Sequence, residues 1–328
     1  MLNRISLRQM EYFVATAECG SIIIASEKIH VSSPSISAAI AHIEAELQTQ
    51  LFIRQHAKGL IPTTVGKSVM LECKKILNQA SSLYSLTAEF SGSIRGPLKL
   101  GCFPAFTPMI YADIINGFSN LYKQVSLDLY EDDQQALLNA LIRNDIDLAL
   151  TYDLNIDANI IHFEPLTKLP PHALVSEQHS LALLPAVTLE ELSTYPMILL
   201  DMPFSNEYFL SLFSTKNLKP NVVRSSKNID VVRSMVANNI GYTILNVRPK
   251  NNYSLDGKRL IRIRIAEEHR PMYIGIATPK NVPKNIVVEA FISRCKSFIS
   301  DQFISGMSSA HFYDPYIKNQ TQKDASDV

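Results

Sequence analysis

Residues 20–37 read Gly-Ser-Ile-Ile-Ile-Ala-Ser-Glu-Lys-Ile-His-Val-Ser-Ser-Pro-Ser-Ile-Ser, and this stretch decides the fold of the N-terminal region. Ser21 follows a glycine and is a typical N-cap for a short helix over residues 22–29. Ser32 or Ser33 can cap the next helix, in whose first turn a proline is favoured because the missing N–H has no partner there. Two short helices joined by a tight turn, the second opening on small hydroxyl residues, are typical of a helix-turn-helix.

Apolar residues at helical spacing extend this pattern on both sides. They are Leu7, Met10, Phe13, Val14 and Ala17 before the quoted stretch, and Ile36, Ile40, Ile43 and Leu47 at its end and beyond. A generic helical bundle with serine caps fits the same periodicity. Periodicity alone therefore leaves a DNA-binding domain and a plain bundle open.

The order of the residues favours the DNA-binding domain. The chain has Leu7-Arg8-Gln9-Met10-Glu11-Tyr12-Phe13, Gly20-Ser21, then residues 25–37, Leu51-Phe52-Ile53-Arg54 and Pro62-Thr63-Thr64-Val65-Gly66. This succession resembles the N-terminal domain of the LysR-type transcriptional regulators. The resemblance implies a winged helix-turn-helix DNA-binding domain over residues 1–64, with residues 51–62 as the wing.

The resemblance also implies which residues contact double-stranded promoter DNA. The candidates are Ser32, Ser33, Pro34, Ser35, Ser37, Ala38 and His42 on the recognition helix, and Arg54 and Lys58 on the wing. The chain departs from the family pattern, because Ser33 stands in place of glutamine and Ala38-Ala39 in place of a basic residue and glutamine. Since side chains that read a base through two hydrogen bonds are missing there, we expect readout by serines and His42, or by DNA shape.

Residues 65–91 predict one long helix of about 37 Å. Its apolar stripe comprises Val65, Val69, Cys73, Ile76, Ala80, Leu83 and Thr87. A small winged domain cannot bury a stripe of that length. The helix could pack on its own C-terminal domain, whereas the resemblance implies a linker helix that pairs two chains into a homo-oligomer, a dimer or a dimer of dimers.

Beyond a Gly-, Ser- and Pro-containing break at residues 91–97, strand-like runs alternate with helical stripes, which predicts an α/β domain with a parallel sheet. Two such halves with a late return to the first resemble the effector domain of the same family, which is similar to a type II periplasmic binding protein. We expect this effector-binding domain over residues 96–303. Subdomain I comprises 96–167 and 272–303, subdomain II comprises 168–271, and a polar tail, 304–328, is predicted to be disordered.

Ligands in such a fold bind at the carboxyl ends of strands, between the two halves. The candidate effector-binding residues there are Cys102, Phe103, Pro104, Ala105, Phe106, Thr107, Tyr152, Asp201, Ser205 and Asn246. Thr107 and Ser205 could cap helices and leave N–H groups facing an anion, or they could be ordinary caps beside ordinary core aromatics. Because these loops contain no clear arginine, we expect the small-molecule effector to be a mono-acid, an amide or an aromatic compound.

Composition excludes several other classes. The 328 residues carry 31 basic and 31 acidic side chains, and no apolar run reaches the roughly 18 residues that cross a bilayer. The four cysteines form no CxxC pair, and no nucleotide-binding, serine-hydrolase or zinc-protease motif is present. We therefore predict a cytoplasmic regulator that is not an enzyme and has no cofactor, metal or membrane partner. The alternative is a cytoplasmic α/β small-molecule-binding protein or enzyme with a helical N-terminal interaction module.

Overall fold

The computed structural model describes residues 4–55, 59–91 and 94–300, together with Ile304, Met307 and Ser308. The N-terminal domain has three helices, a two-stranded antiparallel hairpin and the start of a long helix. These elements are α1 (Leu7–Cys19), α2 (Ile22–Ile29), α3 (Ser33–Leu47), β1 (Phe52–Gln55), β2 (Gly59–Pro62) and α4 (Thr64–Ser91). The winged helix-turn-helix and the long helix predicted from the sequence are both present.

Local chemistry sets the helix ends. Gly20 ends α1 in the left-handed conformation with φ +62°, and the Ser21 hydroxyl accepts the Ile24 N–H to cap α2. Of the two serines that could cap α3, Ser32 does so, accepting the Ser35 N–H. Its neighbour Ser33 is the first residue of the helix.

The hairpin is attached to the turn between α1 and α2. The Leu60 N–H donates to the Gly20 carbonyl at 2.8 Å. Gly59 has φ +76°, and a Cβ there would lie 2.5 Å from the same carbonyl oxygen. A glycine at residue 59 is therefore required for the hairpin to approach this turn.

Helix α4 packs on the N-terminal domain through Val69, Met70, Cys73 and Leu77. Two members of the predicted apolar stripe, Val65 and Ile76, are exposed, so the small domain leaves part of the stripe uncovered, as expected from its length. They lie beside the contact surface because only one side of the first turns of α4 faces the small domain. The side chains of Leu83 and Thr87 lie outside the described part of the chain.

The first half of the C-terminal domain is an α/β unit with a five-stranded sheet in the order β4-β3-β5-β13-β6. Its elements are β3 (Gly96–Cys102), α5 (Thr107–Ile110), a π-helical turn (Tyr111–Asn116), α6 (Gly117–Leu121), β4 (Val125–Glu131), α7 (Gln134–Ile142), β5 (Leu148–Tyr152) and β6 (Ile161–Leu169). Strands β3, β4 and β5 are parallel, as predicted.

The second half has a four-stranded sheet in the order β11-β7-β12-β8 and a parallel pair, β9 and β10. Its elements are β7 (His172–Ser176), a 3-10 turn (Ser180–Leu183), β8 (Ala186–Val187), α8 (Leu189–Ser193), β9 (Pro196–Leu200), α9 (Ser205–Ser214), β10 (Asn221–Ser226), α10 (Ile229–Ala237), β11 (Thr243–Leu245) and β12 (Leu260–Ile265). The chain then returns to the first sheet through β13 (Met272–Pro279) and α11 (Ile286–Phe298).

The prediction of a purely parallel sheet was wrong for the returning strand. Strand β13 enters the first sheet from the second half, and it runs antiparallel to both β5 and β6. Strand β6 also continues to Leu169, two residues beyond the expected end of subdomain I. Periodicity did not predict the strands β6 and β8 or the short helix α8.

The expectation of a disordered tail from residue 304 was wrong at its start. Ile304 and Met307 are buried, and the Ser308 N–H donates to the Arg248 carbonyl at 3.0 Å. Burial of these two apolar side chains holds the segment against subdomain II. Residues 309–328 lie outside the described part of the chain.

Gln134, at the start of α7, is a fully buried polar contact between that helix and the end of β5. Its Nε2 donates to the carbonyls of Tyr152 and Leu154, each at 2.9 Å. Its Oε1 accepts from the Thr151 hydroxyl and from the Tyr152 N–H. The two N–H groups and the oxygen of the Gln134 amide are therefore all hydrogen-bonded without solvent.

Replacement of Gln134 by alanine should lower the free energy of unfolding by about 2–4 kcal/mol, because it leaves several buried polar groups without a partner. Denaturant-induced unfolding followed by circular dichroism measures this. The neighbouring Gln135→Ala is the matched control, since Gln135 is exposed. Equal stability of the two variants would contradict the assignment.

Three of the four thiols should be unreactive in the folded protein. Burial raises the pKa of Cys73 to about 11 and that of Cys102 to about 12, and it raises the pKa of Cys295 further. Since the thiolate is the reactive form, we expect Ellman's reagent at pH 8 to label Cys19 alone in native protein and all four cysteines after unfolding. Rapid native labelling of Cys102 would contradict this and would favour a redox role.

Candidate effector cleft and DNA-contacting face

A small cavity lies between the two halves of the C-terminal domain. Subdomain I contributes the ends of β3 and β5, and subdomain II contributes β9, α9, α10 and the segment after β11. The lining residues are Phe103, Ala105, Tyr152, Leu200, Ser205, Phe209, Ile229, Leu245, Asn246 and Val247. Their positions follow from the fold, because parallel strands end at one edge of each sheet and the two edges face each other.

Two buried polar atoms in this cavity lack a hydrogen-bond partner among the described residues: the Ser205 hydroxyl oxygen and Asn246 Oδ1. The Asn246 amide nitrogen donates to the Leu169 carbonyl at 2.6 Å. This bond fixes the orientation of the amide, so Oδ1 points away from the Leu169 carbonyl. Buried polar atoms are normally hydrogen-bonded, so an unpaired acceptor and an unpaired hydroxyl indicate a place for a polar ligand.

The cavity is nearly closed, with a volume of about 10 Å³, which is room for about one water molecule. At its rim Arg270 pairs with Asp153 at 2.6 Å, and the Tyr208 hydroxyl donates to the Arg270 carbonyl at 2.8 Å. These contacts join α9 of subdomain II to the end of β5 in subdomain I. A ligand larger than water therefore requires the two subdomains to move apart.

Five of the ten predicted effector-binding residues line the cavity: Phe103, Ala105, Tyr152, Ser205 and Asn246. The other five, which are Cys102, Pro104, Phe106, Thr107 and Asp201, do not. The Phe106 ring packs behind those of Phe103 and Tyr152, with centroids 5.7 and 5.5 Å apart. Cys102 is buried in the core.

The capping roles expected for Thr107 and Ser205 were wrong. Each is the first residue of its helix, and the N-cap positions belong to Phe106 and Phe204, neither of which makes a side-chain cap hydrogen bond. The Thr107 hydroxyl instead donates to the Phe103 carbonyl at 3.2 Å. Asp201 accepts from the Asn206 amide at 2.8 Å, which keeps its carboxylate with the start of α9.

Sequence reasoning missed the apolar lining residues Leu200, Phe209, Ile229, Leu245 and Val247. Each occurs in a run that also supplies the core, so no sequence signal distinguishes a cavity wall from a core position. Asn246 was found because it is a polar residue that follows an apolar strand.

The candidate DNA-contacting residues form an exposed face on α3 and the hairpin. Ser32, Pro34, Ser35, Ser37, Ala38, His42 and Arg54 are exposed. Ser33 is half-buried and its hydroxyl donates to that of Ser26 at 3.0 Å, which occupies it within the helix-turn-helix. Ala39 is buried, so of the two alanines Ala38 alone lies on this face. Lys58 lies outside the described residues.

Glu44 fixes the hairpin relative to α3. Its Oε1 accepts the Leu51 N–H at 2.7 Å and the Phe52 N–H at 3.2 Å. The strand that carries Arg54 therefore begins at a defined distance from the exposed side of the recognition helix.

Within the described ranges, no cluster of three His, Cys, Asp or Glu side chains is arranged to hold a metal ion. No helix in the described part of the chain is both long and apolar enough to cross a membrane.

Two family profiles match the chain. Residues 7–67 match "Bacterial regulatory helix-turn-helix protein, lysR family", and residues 91–299 match "LysR substrate binding domain". The chain is 25% identical to the HTH-type transcriptional regulator YvbU of Bacillus subtilis (strain 168), covering 89% of this chain and 98% of that protein. It is also 25% identical to the transcriptional activator protein LysR of Escherichia coli (strain K12), covering 88% and 91%.

Solved structures agree with this assignment. HinK, a LysR family transcriptional regulator from Pseudomonas aeruginosa, is 33% identical with a TM-score of 0.60, covering 90% of this chain and 99% of that one. Full-length OxyR from Pseudomonas aeruginosa shares the fold with a TM-score of 0.71 at 20% identity, covering 89% and 98%. The chain described here belongs to the LysR family and is a DNA-binding transcriptional regulator with an effector-binding domain.

Proposed function

We propose that this regulator binds promoter DNA as a homo-oligomer and responds to a small, uncharged aromatic or amide compound held between its two C-terminal subdomains. The observation that carries the proposal is the pair of unpartnered buried atoms, Ser205 Oγ and Asn246 Oδ1, in a cavity with otherwise apolar walls. An amide satisfies both, because its N–H can donate to Asn246 while its carbonyl accepts the Ser205 hydroxyl hydrogen.

The cavity lining favours a neutral ligand over the mono-acid that the sequence also allowed. No lining side chain carries a charge, and the aromatic rings of Phe103, Tyr152 and Phe209 supply broad apolar contact. A carboxylate buried there would lose its hydration without gaining a cationic partner, which is costly.

The near-closed cavity supports a mechanism for the response. A ligand that fits only when the subdomains separate binds the open form better than the closed form and shifts the population toward it. The Arg270–Asp153 pair at the rim joins the two subdomains, and it is the contact that such opening would break. This differential affinity is the means by which an effector would alter DNA binding.

The DNA-contacting part of the proposal is the exposed face of Ser32, Pro34, Ser35, Ser37, Ala38, His42 and Arg54, with Ser33 and Lys58 as its further predicted members. The serines and His42 offer small hydrogen-bonding groups to the major groove, and Arg54 on the hairpin suits the phosphate backbone. A regulator that binds promoter DNA has to reach the chromosome, so we include a cytoplasmic location in the proposal. We also propose that the protein regulates transcription and is not an enzyme.

Removing the unpartnered hydroxyl should weaken the effector response. We expect benzamide to raise the melting temperature of the wild-type protein more than benzoate does, and Ser205→Ala to reduce that gain because the ligand carbonyl loses its donor, while DNA affinity without ligand is unchanged. Ser211→Ala, on the exposed side of the same helix, is the control for losing a serine hydroxyl. An undiminished gain in Ser205→Ala would place the ligand elsewhere, and a larger gain with benzoate would reject the neutral class.

Removing Arg54 should weaken binding to all DNA sequences alike. Loss of one phosphate contact is expected to reduce the slope of log affinity against log salt by about 1. Fluorescence anisotropy with specific and random duplexes at several salt concentrations measures both effects for Arg54→Ala. Arg224→Ala, an exposed arginine in the effector domain, controls for the change in net charge. An unchanged slope for Arg54→Ala would contradict its placement near phosphate.

A further inference from the structure

A cluster of three arginines lies in subdomain II, away from the residues that line the effector cavity. Arg233 is on α10, Arg248 follows β11 and Arg262 is on β12; we call them the arginine cluster. Arg233 and Arg248 are buried, with 7% and 4% of their surfaces exposed, and Arg262 is half-buried. Burial, and then the charges of the other two arginines, lowers the pKa of Arg262 to about 10, which places the three positive charges close together.

The partners of the cluster are neutral. Arg233 donates to the carbonyls of Asn251 and Tyr253 at 3.1 and 2.9 Å. Arg262 donates to the side chains of Asn252 and Ser308. All of these hydrogen bonds converge on the segment that begins at Arg248 and on Ser308, whose N–H donates to the Arg248 carbonyl.

Arg248 itself is unsatisfied. Its Nε and Nη1 are buried and have no hydrogen-bond partner among the described residues. None of the ion pairs among the described residues includes a member of the cluster. Burial lowers the pKa of Arg233, and the charge of Asp230 partly offsets this. Leaving a buried guanidinium without a counter-charge is strongly unfavourable, so a bound anion would stabilise the cluster.

Two further polar atoms without a partner lie on the same sheet face. Thr243 and Arg262 are both register partners of Leu174, and His172 lies two residues earlier on that strand. Residues at these positions point to one side of the sheet. His172 Nδ1 and Thr243 Oγ1 are buried with no partner among the described residues. Burial and the charges of the cluster lower the pKa of His172 well below its usual value, so its ring is neutral.

We infer that the arginine cluster is a second ligand site, distinct from the effector cavity, which binds an oxyanion such as sulfate, phosphate or a carboxylate. The anion takes hydrogen bonds from the free donors of Arg248 and replaces the Ser308 hydroxyl as the partner of Arg262. The planar guanidinium fork matches the oxygen spacing of such groups.

The site is connected to the effector cavity by a very short segment. Asn246 and Val247 line the cavity, and Arg248 is the next residue. An anion that holds Arg248 in place also restricts the backbone of Asn246, the cavity-lining residue whose Oδ1 has no partner among the described residues. The inferred anion site is therefore positioned to influence the effector site, although its existence does not depend on the function proposed for that cavity.

Thermal unfolding of the full-length protein tests the inference. At equal ionic strength, sulfate should raise the melting temperature above that in chloride in a saturable manner, by about 2–4 °C, because a ligand that binds the native state alone stabilises it. In chloride, Arg248→Met should have a melting temperature equal to or above that of wild type, because it removes an uncompensated buried charge, and it should lose the sulfate gain. Arg259→Met, an exposed arginine close to the cluster, should behave as wild type.

The controls separate the remaining outcomes. Sulfate stabilises many proteins without binding a site, so an equal gain in wild type and Arg248→Met overturns the inference. If Arg248→Met does not fold, Arg262→Met is measured in its place. The absence of a saturable sulfate gain in wild type also overturns the inference.

Discussion

The architecture of the effector domain depends on one continuous apolar core that runs through both of its subdomains, while the N-terminal domain has a core of its own. The core of the effector domain includes Leu100 and Ile276 of the first sheet and Val175 and Ile263 of the second, which belong to one cluster of buried residues. Because dense packing resists small displacements, this core holds the strand ends of the two sheets facing each other. The effector cavity is the place where that packing is interrupted by polar atoms.

Buried polar groups in this protein are of two kinds, and the difference separates stability from binding. Gln134 has all of its hydrogen bonds made by neighbouring backbone and hydroxyl groups, so it ties α7 to β5. Ser205, Asn246 and Arg248 are buried to a similar degree, yet each has an atom without a partner in the described structure. Since an unmade buried hydrogen bond is costly, a ligand that pairs with such an atom would be stabilised by satisfying it.

The N-terminal domain and the effector domain are joined by an ionic contact on the long helix. Lys74 of α4 is buried and pairs with Glu18 of α1 at 2.9 Å and with Asp145 of the effector domain. Burial alone would raise the pKa of Glu18, but Lys74 and Lys28 outweigh it and the pKa is lowered. A displacement of Asp145 in the effector domain would therefore alter an ion pair on α4, the helix that packs against the DNA-contacting domain.

The sequence by itself determined the local elements. The Gly20 and Ser21 boundary, the Ser32 cap and the long helix α4 are all present close to the predicted bounds, because caps and periodicity act within a few residues. Tertiary structure decided the rest: the antiparallel return of β13, which of the polar residues face the cavity, and the meeting of Arg233, Arg248 and Arg262. These depend on contacts between residues far apart in the chain, and no local pattern records which of two buried side chains has a partner.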